Sequence, residues 1–138
     1  MRYMSLGPLG LLGLAGLLLA GCGSKPGPAK EIASQRSNDV SVSLVNETGD
    51  LTQGQNRFVI AFRSVTSGQP VDVGKVTVSS TMPMPGMPMS AGLELSPAGE
   101  TGKYQAKGDF AMSGGWNFDI RWDGPAGQGA ALLSANVH

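Results

Sequence analysis

The sequence predicts an all-β protein, and three observations predict it. Apolar side chains alternate with polar ones at period two from Val40 onward, the mark of strands with one buried face. Gly, Pro and Asp residues that suit tight turns break these runs at short intervals. No stretch after the N-terminal leader keeps a helical period. Together they give about seven short strands in one domain, an antiparallel immunoglobulin-like sandwich.

In chain order, the first segment is an address rather than part of the fold. Arg2 precedes an apolar, Gly- and Leu-rich run from Leu6 to Ala20, and Leu19-Ala20-Gly21-Cys22 closes it. The run is too short for a comfortable membrane span and ends in a processing site, so residues 1–21 are expected to be a signal peptide. The tetrapeptide resembles the lipobox of bacterial lipoproteins. That resemblance implies cleavage before Cys22, with acyl chains on its sulfur and on its new amino terminus, and several chains anchor firmly. Cys22 is the only cysteine. A lipidated chain therefore keeps no thiol for a disulfide, a thiolate metal site or a nucleophile.

Residues 22–39 are rich in Gly, Pro, Ser and charge, and after Cys22 carry Ile32 as their one sizeable apolar side chain. Such a segment buries too little to offset its ordering entropy, so a flexible tether is expected. Gly23 is not the aspartate that marks inner-membrane retention in proteobacterial lipoproteins. The expected location is the outer face of the cytoplasmic membrane, or the periplasmic side of the outer membrane if the envelope is proteobacterial.

The sandwich itself is expected over residues 40–138. Val40, Val42 and Leu44 alternate with polar positions, then Phe58, Ile60 and Phe62, Val76 and Val78, Leu93 and Leu95, and Tyr104, Ala106 and Phe110. In Trp116-Asn117-Phe118-Asp119-Ile120-Arg121-Trp122 every aromatic or aliphatic residue falls on one face. Ala131, Leu133, Ala135 and Val137 complete the series. Turns are placed at 47–50, 67–70, 98–102, 113–115 and 123–125.

One stretch stands apart. In Met82-Pro83-Met84-Pro85-Gly86-Met87-Pro88-Met89, four of the seven methionines alternate with prolines that forbid a helix and fit an interior strand badly. An exposed loop of thioethers is expected.

Asn56-Arg57-Phe58, Gly68-Gln69-Pro70-Val71, Val76-Thr77-Val78 leading into the Met loop, Gly102-Lys103-Tyr104 and Met112-Ser113-Gly114-Gly115-Trp116 follow in this order. The pattern resembles YtkA-like domains, small extracytoplasmic immunoglobulin-like modules similar also to segments of FixH-type proteins and of some heavy-metal efflux adaptors. It covers roughly Val40 to Val137. The resemblance implies handling of copper or another heavy metal, although fold alone does not give function.

Thioether sulfur is a soft, neutral ligand that favours Cu(I) over hard cations. Three or so of Met82, Met84, Met87 and Met89 are therefore candidate ligands of one Cu(I), with Met112 as a further ligand and Trp116 as a cation–π cover. If successive strands reverse direction, the strands ending near Thr81 and Ala111 finish at one end, with the 47–55 loop and His138. The same parity sends the tether to the opposite end, so the Met tip would point away from the membrane. The competing reading makes the same loop an apolar plug or docking surface, because methionine also packs adaptably. An efflux or oxidase-assembly protein would then be the partner. A third reading is an oxidant-absorbing surface of reversible sulfoxides.

Several classes find no support in the residues. Acidic and basic side chains balance, ten against ten, and no basic cluster appears, which argues against nucleic acid. No internal histidine, serine motif or close carboxylate pair suggests an enzyme, and no glycine loop suggests an organic cofactor. Asp109, Asp119 and Asp123 lack the spacing of a calcium loop. His138 is expected to fray, and Trp116 and Trp122 share the apolar face with Phe118 and Ile120, as core residues would.

Overall fold

The computed structural model describes residues 29–125 and 127–138. The expected signal peptide, residues 1–21, and Cys22 lie outside them. Nine strands follow in order: β1 (Lys30–Ser37), β2 (Val40–Asn46), β3 (Gly54–Ser64), β4 (Lys75–Met82), β5 (Met89–Ala91), β6 (Leu93–Pro97), β7 (Lys103–Phe110), β8 (Gly114–Gly124) and β9 (Gly127–Val137). They form two antiparallel sheets, one in the order β1-β2-β3-β7-β6 and the other β5-β4-β8-β9. Each of the seven runs of alternating residues is a strand, and β1 and β5 are additions.

The alternation sets what the sheets enclose. Phe58, Phe62 and Phe110 from the first sheet meet Trp116, Phe118 and Trp122 from the second, all at most 5% exposed. Their rings pack edge to face, Phe110 on Trp116 at 5.2 Å, Phe62 on Trp122 at 5.4 Å and Phe58 on Phe118 at 5.9 Å. This geometry sets the positive edge of one ring against the negative face of the next. At one end of the sandwich the Tyr104 hydroxyl donates to the Gly74 carbonyl at 2.7 Å. Gly74 is held at φ +77°, and a Cβ there would come within 2.6 Å of the Asp123 carbonyl.

The chain passes between sheets with little slack. β5 and β6 belong to different sheets, and Gly92 is the one residue between them.

Lys30–Ser37, expected as part of a flexible tether over residues 22–39, is a strand. Ser37 pairs with Val40 across a two-residue turn, Asn38-Asp39, with Asn38 at φ +53°. Asn tolerates that left-handed conformation, and such turns favour tight hairpins. Ile32, at a bulge between Glu31 and Ala33, packs with Ala33 against the core. Order in this segment comes mainly from backbone pairing with β2, which composition does not register.

The extra strand reverses the direction in which the chain arrives. Lys30 pairs with Asn46, at the end that carries the 47–53 segment, the 83–88 loop and the 111–113 turn. The expectation that the tether leaves from the opposite end is corrected: the parity argument counted one strand too few.

Candidate functional site

The site is a hairpin and the turn beside it. Met82 ends β4, Met89 begins β5, and the two are paired directly across the hairpin. Pro83, Pro85 and Pro88 have no N–H to continue the ladder, so the chain leaves it as a six-residue loop that turns at Gly86, φ +91°. Below the loop, the buried Ser80 hydroxyl donates to the Ala91 carbonyl at 3.2 Å and ties the two arms together.

Period-two alternation then divides the four methionines. Met82 and Met89 share the inward face with Ser80 and Ala91, are half-buried and pack on the core. Met84 and Met87 stand outside it, at 39% and 80% exposed. The sequence placed all four in one exposed loop; the inward pair lies instead at its base.

Met112 joins through its neighbours. Gly114, at φ +135°, leaves space that the terminal methyl of Met82 fills, and a Cβ on Gly114 would overlap it. The Trp116 indole N–H donates to the Met112 carbonyl at 3.0 Å, and Met112 itself is 41% exposed. Trp116 is 1% exposed and packed on Phe110, so it braces the Met112 turn from the core. The structure therefore brings Met82, Met89 and Met112 to one end of the sandwich, with Met84 and Met87 at its tip.

The 51–53 segment closes the same end. His138 donates its backbone N–H to the Leu51 carbonyl at 2.9 Å and accepts from the Gln53 N–H at 2.9 Å. The Gln53 side chain donates to the Ala111 carbonyl, also at 2.9 Å, reaching the Met112 turn. His138 is thus pinned rather than frayed, because Leu51 and Val137 form a parallel bridge beside it. Its imidazole Nε2 lies 3.9 Å from Asp50 Oδ1 and both side chains are well exposed.

Thioethers are uncharged and do not titrate, so a metal held by them alone needs no proton release. Among the described residues no group of three His, Cys, Asp or Glu side chains is placed to hold a metal ion. The methionine hairpin and the Met112 turn offer sulfur, a donor that suits a soft monovalent ion, and the His138 imidazole and Asp50 carboxylate lie at the same end.

Ser80 and Gly114 position the sulfurs, and sequence reasoning missed both. Gly114-Gly115 is legible as a turn, but nothing in the sequence says which side chain fills the space above Gly114. Ser80 reads as one more polar strand residue until its partner, Ala91, is known.

A family model described as YtkA-like matches residues 34–121. No curated protein and no solved structure matches the chain.

Proposed function

The chain belongs to the YtkA-like family, and on that premise we propose that it is a membrane-anchored extracytoplasmic lipoprotein that binds or relays Cu(I), or a related soft metal, through its methionine end. The observation that carries this reading is the convergence of the inward Met82–Met89 pair with the turn bearing Met112. Met82 and Met89 form the base of the site, and Met84, Met87 or Met112 complete a three-sulfur set. Preorganisation supports it: the hairpin base is fixed by Ser80 and the prolines restrict the loop before any ion arrives. The protein acts as a carrier and not as an enzyme, without an organic cofactor.

The test is an anaerobic Cu(I) titration against a competing chromophoric chelator, run on wild type and on a variant with Met82, Met84, Met87 and Met89 replaced by leucine. Leucine keeps size and apolarity but removes the ligand. One-to-one binding lost in the variant supports the reading; affinity kept in the variant overturns it. The high exposure of Met87 favours a second reading, docking onto an efflux or oxidase-assembly partner by apolar contact. That function would survive the leucine substitutions.

A further inference from the structure

We propose that the methionine end of the sandwich docks on the lipid bilayer that holds the chain's own anchor, with Met84, Met87 and Met112 in the interfacial layer. The inference rests on the lipoprotein reading of Cys22 and is independent of metal binding.

The first argument is reach. β1 begins at Lys30, beside Asn46, at the methionine end, and Ile32 lines a shallow surface depression together with Pro83 and Trp116. Cys22 lies eight residues before Lys30. Fully extended, eight residues span about 28 Å, and as a flexible coil they average about 15 Å. β1 itself has eight residues, so the Asn38-Asp39 turn at the opposite end lies about 26 Å from Lys30. For that turn to rest on the bilayer, the tether would have to be drawn out almost to its full length, close to the limit of its reach. The methionine end has no such limit.

The second argument is surface chemistry. Residues 82–92 and 110–118, which contain the two methionine turns, carry no charged side chain. Three of the five exposed large apolar side chains among the described residues, Met84, Met87 and Met112, lie in them. The turns of the opposite end carry Asp39, Asp72 and Glu100; Lys103 pairs with Glu100, which leaves Asp39 and Asp72 as carboxylates that an anionic bilayer repels. Glu47 and Asp50, on the segment that follows β2, confine the contact at the methionine end to the side bearing the two uncharged turns. An acyl anchor with a second, apolar contact is the two-signal arrangement that holds peripheral proteins stably.

The experiment uses the full lipidated chain in vesicles of phosphatidylethanolamine and phosphatidylglycerol. Acylation occupies Cys22, so Pro85→Cys in the loop, or Ser67→Cys at the opposite end, gives one free thiol for a fluorophore. Quenching by lipids brominated on their acyl chains reads depth. The expected result is at least about twofold quenching at position 85 and no change at position 67. Equal quenching at the two positions, or the reverse order, overturns the proposal. In the Pro85→Cys chain, serine at Met84, Met87 and Met112 should bring quenching down to the level of position 67; quenching that persists overturns the role given to these methionines. Intact mass distinguishes the premises: an unacylated Cys22 overturns the anchor and the docking together, whereas an acylated chain without quenching overturns the docking alone. Failure of the Cu(I) titration with quenching intact supports docking and removes only the metal reading.

Discussion

The terminal methyl of Met82 lies where a side chain at residue 114 would begin, so the methionine hairpin and the Met112 turn are packed as one unit. Gly114 is needed twice over, for this contact and for its φ of +135°. Gly114→Ala is expected to cost about 1–3 kcal/mol, read as a lower urea midpoint. Met82→Ala relieves the overlap but not the backbone strain. The double variant should therefore lose less than the two single losses added together. Simple additivity would separate the loop from the turn.

Trp116 braces that turn through a single polar contact. Trp116→Phe keeps an aromatic ring but removes the N–H that reaches the Met112 carbonyl. The expected loss is about 1–3 kcal/mol, with faster amide exchange over residues 111–115 and unchanged exchange around Gly74 at the other end. Uniform acceleration across both ends would mean a general loss of packing.

Tyr104 gives the protein an alkaline limit. Burial first, and the neighbouring Asp72 carboxylate second, raise its phenol above the ordinary value of 10.0. The folded pKa then exceeds the unfolded one, so the fold favours the neutral phenol. Its contribution is whole below about pH 10 and declines as pH rises through the folded pKa. Urea midpoints measured from about pH 8 to 11 should fall along this limb, and Tyr104→Phe should flatten it while costing about 1 kcal/mol at neutral pH through the lost bond to Gly74.

β1 makes a prediction about where the folded domain starts. A chain beginning at Lys30 retains the pairing with β2, while one beginning at Val40 exposes the whole β2 edge. The shorter chain is expected to melt about 5–10 °C lower and to self-associate through its bare edge. Scanning calorimetry and sedimentation read both effects. Equal melting temperatures would return residues 30–37 to the tether.

What the sequence made legible was whatever side-chain chemistry alone determines. Phe58, Phe118 and their neighbours announce their strands by alternation, because burial on one face of a pleated sheet leaves that imprint. The methionine loop was visible for the same kind of reason, since proline excludes ladder positions. β1 was missed because its order is held by backbone hydrogen bonds that no composition records, and Ile32 alone is too weak a sign of burial. β5 was missed because three residues, Met89–Ala91, are too few to show a period. The expected direction of the tether failed with β1, since parity arguments are as good as their strand count. The inward turn of Met82 and Met89 depended on β5 as well: without that strand they were simply part of the loop.

Gly92 leaves the two sides of the methionine hairpin unequally free to vary. Nothing lies within 4 Å of where a side chain at Gly86 would begin, so residues added at the tip lengthen the loop without meeting the rest of the sandwich. An insertion at Gly92 would instead slide β6 along β7, where Leu93 now faces Gly108 and Leu95 faces Ala106, and would turn both leucines outward. Descendants of this chain can therefore gain or lose sulfur atoms at the tip with little effect on the sandwich, while the return arm has to keep its length. Variation in loop length among relatives should collect between Met82 and Met89, and the three residues of β5 should keep their spacing to β6.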